Sequence, residues 1–105
     1  MALKAWDEAH PLPHAATLSD VADHIDHVRK TIGVDYIGVG GDYEGFDGPP
    51  EGLQDVSCYP ALLAELRRRG YSRDEIKKVA GLNLLRVLRE AEAVAKKLQA
   101  QPSSR

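Results

Sequence analysis

IGVGGDYEG, Ile37 to Gly45, is the stretch whose reading decides the fold. Ile37 and Val39 are strand formers, and Gly38, Gly40 and Gly41 allow close backbone approach. The run reads as a short buried strand that ends on a glycine pair and then presents Asp42. In α/β architectures the C-terminal edge of a parallel strand is where chemistry is done. The residues upstream deliver the chain to that strand, and the residues downstream fold helices around it.

Working outward, Thr17 predicts a helix N-cap, and Asp20 completes an acidic form of the capping box. Leu18, Val21, Ala22, Ile25, Val28 and Ile32 then recur at steps of three and four, which predicts an amphipathic helix of about four turns. Gly33 stops it, and a very short connection leads to the strand, as in an αβ unit. Downstream, Gly45 to Val56 has three glycines, two prolines and no periodicity, so it predicts a loop. A helix starts next at Ser57 or Tyr59, with Pro60 in its first turn, an apolar stripe of Leu62, Leu63 and Leu66, and Gly70 at its end. Ser72 to Glu75 is a second capping box and opens a short helix through Ile76 and Val79. Gly81 breaks the pattern, and Leu82 to about Leu98 predicts a long helix.

The N-terminal residues fit less well. Ala2 to Ala9 predict one or two helical turns, and His10-Pro11-Leu12-Pro13 must then be extended. The sequence thus divides into a helical stub with a proline-containing linker (1–16), a main unit (17–98) and a polar, disordered tail (99–105). Four or so helices accompany one convincing strand. A solitary parallel strand leaves backbone groups unpaired on both edges. The expectation is therefore a chain that begins partway through something larger, is incomplete as an independent domain, and self-associates through exposed strand edges.

Composition bounds the rest. The 105 residues allow one domain, and 43% apolar content is compatible with a globular fold. A formal charge of −2 gives no global field towards nucleic acid or anionic lipid. Cys58 is the only cysteine, so no intrachain disulfide forms. No apolar run approaches the roughly 20 residues of a membrane span. Lys4, Asp7 and Glu8 interrupt any leader-like apolar core. A cytoplasmic location is the expectation.

Several groups bear on chemistry. Asp42 has the position of a general acid or base or of a metal ligand, and equally of a residue that caps the next turn. Position alone leaves these open. Glu44, Asp47 and Glu51 crowd the same loop, but Phe46 occupies a position where a calcium loop needs an oxygen ligand. The dinucleotide fingerprint fails because Tyr43 stands where its third glycine belongs. His24 and His27, three apart on one helix, form half of a zinc site without the further ligands it needs, so a surface or packing role is favoured. His10 and His14 receive no role. Arg67, Arg68, Arg69, Lys77 and Lys78 flank a turn with a helix–turn–helix look. Glu65, Asp74 and Glu75 neutralise that patch and favour a solvated face. A small helical module binding a protein or nucleic acid through this pair is the alternative reading.

IGVGGDYEG, PPEGLQDVSCYPALLAELRRRGYS and GLNLLRVLREAE, taken together and in order, resemble the C-terminal segment of the zinc-dependent membrane (renal) dipeptidase family and its bacterial members. VADHIDHVRKTIGVDYIGVGGD resembles that family's helix leading into its last barrel strand. The resemblance runs from about Trp6 to Val94. It implies a C-terminal portion of a TIM-type (β/α)8 barrel: helix, last barrel strand, then three mostly amphipathic helices. Such a barrel needs about 250 residues or more, so it is incomplete here. The implied activity is hydrolysis of dipeptides by a hydroxide bridging two zinc ions. Asp42 corresponds to the family's last-strand acid, which shuttles the proton to the leaving amine and faces the substrate, with Gly41 beside it in the substrate site. The family's zinc ligands and its carboxylate-gripping arginine come from earlier strands, and none of His10, His14, His24 or His27 matches them. The implication is a chain that lacks the zinc ligands and is inactive alone. Glu44 departs from the second Asp usual in the family.

Overall fold

The structure is a computed structural model and describes residues 2–11, 15–45 and 47–102. Part of the expected proline linker, His14, Phe46 and the last three residues of the expected tail lie outside the described residues.

Among the described residues five α-helices succeed one another: α1 (Ala2–Ala9), α2 (Leu18–Ile32), α3 (Tyr59–Arg68), α4 (Arg73–Lys77) and α5 (Asn83–Ala100). The expected caps are in place. Thr17 and Asp20 bond each other's backbone amides at the start of α2, and Ser72 and Glu75 do the same for α4. Each satisfies donors that a helix start otherwise leaves orphaned. Gly33 closes α2 at φ 92°, and Gly70 stands just past α3 at φ 95°. Between α4 and α5 the chain makes one wide turn, Lys78–Leu82, which passes through Gly81 and closes with Asn83 N–H donating to Lys78 O. Helix α5 runs two residues beyond Leu98, to Ala100.

The core lies where α2 crosses α3. Ala22, Ile25, Leu62, Leu66, Tyr71 and Val79 are buried, joined by Ile37 and by Leu53 from the long loop. Leu63 and Val28 pack against this cluster from its edge. Fully burying each large apolar side chain contributes about 1.5–3 kcal/mol. The loop is tied down at Glu51, whose N–H donates to Ala16 O at 2.9 Å and whose C=O accepts from Leu18 N–H at 2.7 Å. This isolated parallel bridge between Thr17 and Glu51 is the sole β-type pairing among the described residues.

The strand expected at Ile37–Val39 is therefore corrected. Ile37 is extended (φ −104°, ψ 134°) and buried, but 37–42 pairs with no other segment among the described residues. A strand exists through its ladder, and no other described segment offers one. In place of an α/β unit the described chain is mostly helical. Helix α5 leaves most of its apolar residues uncovered: Leu84 is 72% exposed, and Leu88, Val94 and Leu98 are more than half exposed. The radius of gyration, 19.0 Å, exceeds the roughly 13 Å of a compact domain of this size.

Candidate functional site

The 37–42 run ends on Asp42, which has φ 47° and is the one non-glycine residue at positive φ among the described residues. Aspartate tolerates this left-handed geometry better than most residues, yet the strain is of order 1 kcal/mol or more. A turn holds it: Gly45 N–H donates to Asp42 O at 2.9 Å. The carboxylate folds over Gly45, where any Cβ would overlap it. It is exposed and accepts no hydrogen bond among the described residues. The side chain thus does not cap the turn, which is closed by the main chain alone.

Gly41 lies between two rings. A Cβ there would stand 2.5 Å from Tyr43 Cε2 and 2.6 Å from Tyr59 Oη. The Tyr43 and Tyr59 rings sit 6.2 Å apart and tilted. Burial, and then Tyr59 beside it, pushes the Tyr43 phenol above its ordinary pKa. Behind them a cleft of about 400 Å³ runs under the glycine segment, with Val39, Leu53, Tyr59 and Leu62 in its wall and Asp42 on its lining. The structure thus brings Gly41 and Asp42 together with two tyrosines that sequence reasoning does not single out. Tyr59 carries no signal beyond its place before Pro60.

Of the other expected residues, Glu44 borders the open hollow beside Gly41, Asp42, Tyr43 and Tyr59, and the rest do not join this site. Glu44, Asp47 and Glu51 are exposed on the loop. His24 and His27 stand on α2, rings 6.5 Å apart. Among the described residues, no group of three or more His, Cys, Asp or Glu is placed to hold a metal ion. The described residues thus do not fit a zinc centre.

The arginine patch does something else. Arg69 reaches from the end of α3 to α2, at 2.7 Å from both Asp23 Oδ1 and Asp26 Oδ2 and 2.9 Å from Glu65 Oε1. Its guanidinium is held charged by these three carboxylates. Tyr71 Oη donates to Asp26 Oδ1 at 2.7 Å, and Arg29 lies 4.1 Å over the Tyr71 ring while pairing with Glu75 at 2.6 Å. Arg68 pairs with Glu65, and Arg67 donates to Tyr71 O. Lys78 pairs with Asp35. These cations are already bound to carboxylates and carbonyls, which removes most of the basic surface that a nucleic-acid reader needs.

Residues 9–102 match the family described as membrane dipeptidase (peptidase family M19). Dipeptidase 3 of Rattus norvegicus is 52% identical over 82 residues, 78% of this chain and 17% of that protein. Dipeptidase ataJ of Aspergillus terreus is 48% identical over 88 residues, 84% of this chain and 22% of that protein. A crystal structure of a metallopeptidase of family M19, dipeptidase AC, superposes with a TM-score of 0.61 and 32% identity over 70% of this chain and 22% of its own. The chain spans about a fifth of the length of the relatives it matches.

Proposed function

Because the chain belongs to the membrane dipeptidase (peptidase M19) family, we propose that it is the C-terminal portion of a zinc-dependent dipeptidase barrel and that Asp42 is the acid it contributes to dipeptide hydrolysis. The observation that carries this reading is the Asp42 backbone: φ 47°, at the end of a glycine-rich extended run, with an exposed carboxylate that no described residue neutralises. In the proposed site that carboxylate moves the proton to the leaving amine. Gly41 keeps the backbone beside it bare, so that a substrate can come close. The zinc ligands and the grip on the substrate carboxylate belong to the remaining four-fifths of the barrel, so the 105-residue chain alone is inactive. The unpaired 37–42 run and the bare face of α5 are surfaces that such a barrel covers, or through which isolated copies associate. A cytoplasmic location remains part of the proposal.

A chimera tests it. Residues 9–102 replace the matching segment of the Aspergillus terreus dipeptidase, and hydrolysis of dipeptides is followed with zinc content. The chimera is expected to keep zinc and activity. Asp42→Asn in it should lower kcat by about 100-fold or more, with zinc unchanged. Loss of zinc with the substitution, or full activity without the acid, overturns the assignment. Zinc-dependent dipeptidase activity of the 105-residue chain alone overturns the claim that it needs the rest.

A further inference from the structure

Asn83 is the one buried polar residue among the described residues, 4% exposed at the start of α5. Both hydrogens of its amide nitrogen are used: Nδ2 donates to Val34 O at 2.8 Å and to Ile37 O at 3.0 Å. Its Oδ1 accepts from Arg86 at 3.2 Å, and the same guanidinium donates to Asp35 O at 2.8 Å. Lys78 holds the Asp35 side chain at 2.8 Å. The carbonyls of Val34, Asp35 and Ile37 are thus all taken by side chains of α5, and the turn before that helix holds the Asp35 carboxylate. That turn makes the arrangement possible. In a regular α-helix residues five apart point about 140° away from each other. The wide turn closes from Asn83 N–H to Lys78 O, five residues back, and so brings Lys78 and Asn83 to one side.

The 37–42 run has no ladder partner among the described residues, so no neighbouring strand sets its direction. Val39 packs against the core midway, and further contacts hold the run at its ends. At the far end stand the Asp42–Gly45 turn and the two tyrosines against Gly41. At the near end stands Asn83. A carboxamide offers two donors from a single atom, which is what two converging carbonyls require. We propose that Asn83 is a positioning residue for Asp42: together with Arg86 it fixes the carbonyls from which the run starts, and so sets where the run carries its acid. This rests on the reading of Asp42 as the functional acid, but its test does not need activity.

The experiment is backbone nitrogen relaxation and carboxyl-carbon chemical shift by NMR on the 105-residue chain, beside its melting temperature. Asn83→Leu removes both donors and keeps the branched outline of the side chain. Arg86→Met, at a half-buried position, removes only the outer arm and keeps the chain folded if the first variant does not. Leu66→Val is a control that lowers stability in the core that Ile37 shares, without removing the Asn83 or Arg86 hydrogen bonds. Order parameters of Gly38 to Asp42 are expected to fall from about 0.85 to below about 0.6 in Asn83→Leu, with a smaller fall in Arg86→Met, and the Asp42 carboxyl shift moves in both. Leu66→Val should leave these signals unchanged at a comparable melting temperature. If both clasp variants melt earlier while residues 38–42 and the Asp42 carboxyl keep their signals, or if Leu66→Val moves them equally, Asn83 is structural only and the proposal falls. Should the Asp42→Asn chimera keep full activity while the NMR result holds, it is the reading of Asp42 that fails, not the clasp.

Discussion

At Gly41 a single hydrogen separates the backbone from two tyrosine rings. An alanine methyl there would meet the Tyr43 ring edge and the Tyr59 hydroxyl well inside van der Waals contact, at 2.5 and 2.6 Å. Both are side-chain atoms that can shift, so the penalty is moderate. Gly41→Ala is expected to lower stability by about 1–2 kcal/mol in denaturant unfolding and to split the Tyr43–Tyr59 pair, visible as altered tyrosine fluorescence. Unchanged stability and fluorescence would show that the glycine serves no steric purpose. Asp42 shows how far one residue can be read. Its position after a glycine pair is legible in the sequence. Its positive φ and its exposed, unpartnered carboxylate are not, because both depend on how the turn to Gly45 closes.

At the scale of elements, α3 and α5 carry similar leucine-rich stripes and have opposite fates. Leu62 and Leu66 of α3 are 1% and 0% exposed against α2, whereas Leu84 and Leu88 of α5 stand in solvent. Periodicity reports that a helix has an apolar face; it does not report what covers it. Leu66→Ala should cost about 2–5 kcal/mol, because it leaves a cavity that the α2–α3 crossing cannot collapse. Leu88→Gln should stay within about 0.5 kcal/mol in the isolated chain, where the side chain loses little packing. Chemical unfolding of the two variants side by side checks both. A large loss at Leu88 would mean that α5 is covered in solution. The strand is the element in which sequence and structure part: its residue types are those of a strand, but a ladder needs a second segment that the described chain does not supply.

For the whole molecule, the contacts that join α2 to the α3–α4 turn are as much ionic as apolar, and this predicts a stability optimum bounded on both sides. Burial pushes Asp26 up, but bonds from Tyr71 and Arg69 outweigh it and hold the carboxyl below its usual range. Arg68 and Arg69 lower Glu65, and the Ser72 amide and Arg29 lower Glu75. Groups whose folded pKa is depressed contribute stability that is full above the ordinary carboxylate pKa and lost as pH falls through the folded one. The melting temperature should be level from pH 7 to about 5 and drop below about 4, with a shallower drop in Asp26→Asn. Tyr71 works in the other direction. Burial first, and Asp26 second, push its phenol up to about 12. Its contribution is full below the ordinary tyrosine pKa of about 10 and is lost as pH rises from there through the folded value. Ultraviolet titration should show Tyr71 ionising only with the onset of alkaline unfolding. Ionisation of Tyr71 near the ordinary value, ahead of unfolding, would contradict the contact with Asp26.

The sequence by itself determined the helices, their caps at Thr17 and Ser72, their stops at Gly33 and Gly70, and the family. These come from local periodicity, from donors satisfied within four residues, and from motifs that lie in order along the chain. Tertiary structure alone decided that Arg69 is a clamp rather than part of a binding patch, that Leu53 leaves its loop for the core, that Tyr43 and Tyr59 enclose Gly41, and that Asn83 holds the lead-in to Asp42. Each of these joins residues far apart along the chain. Such partners are chosen by how helices cross and turns close, and no pattern within a few residues encodes that choice.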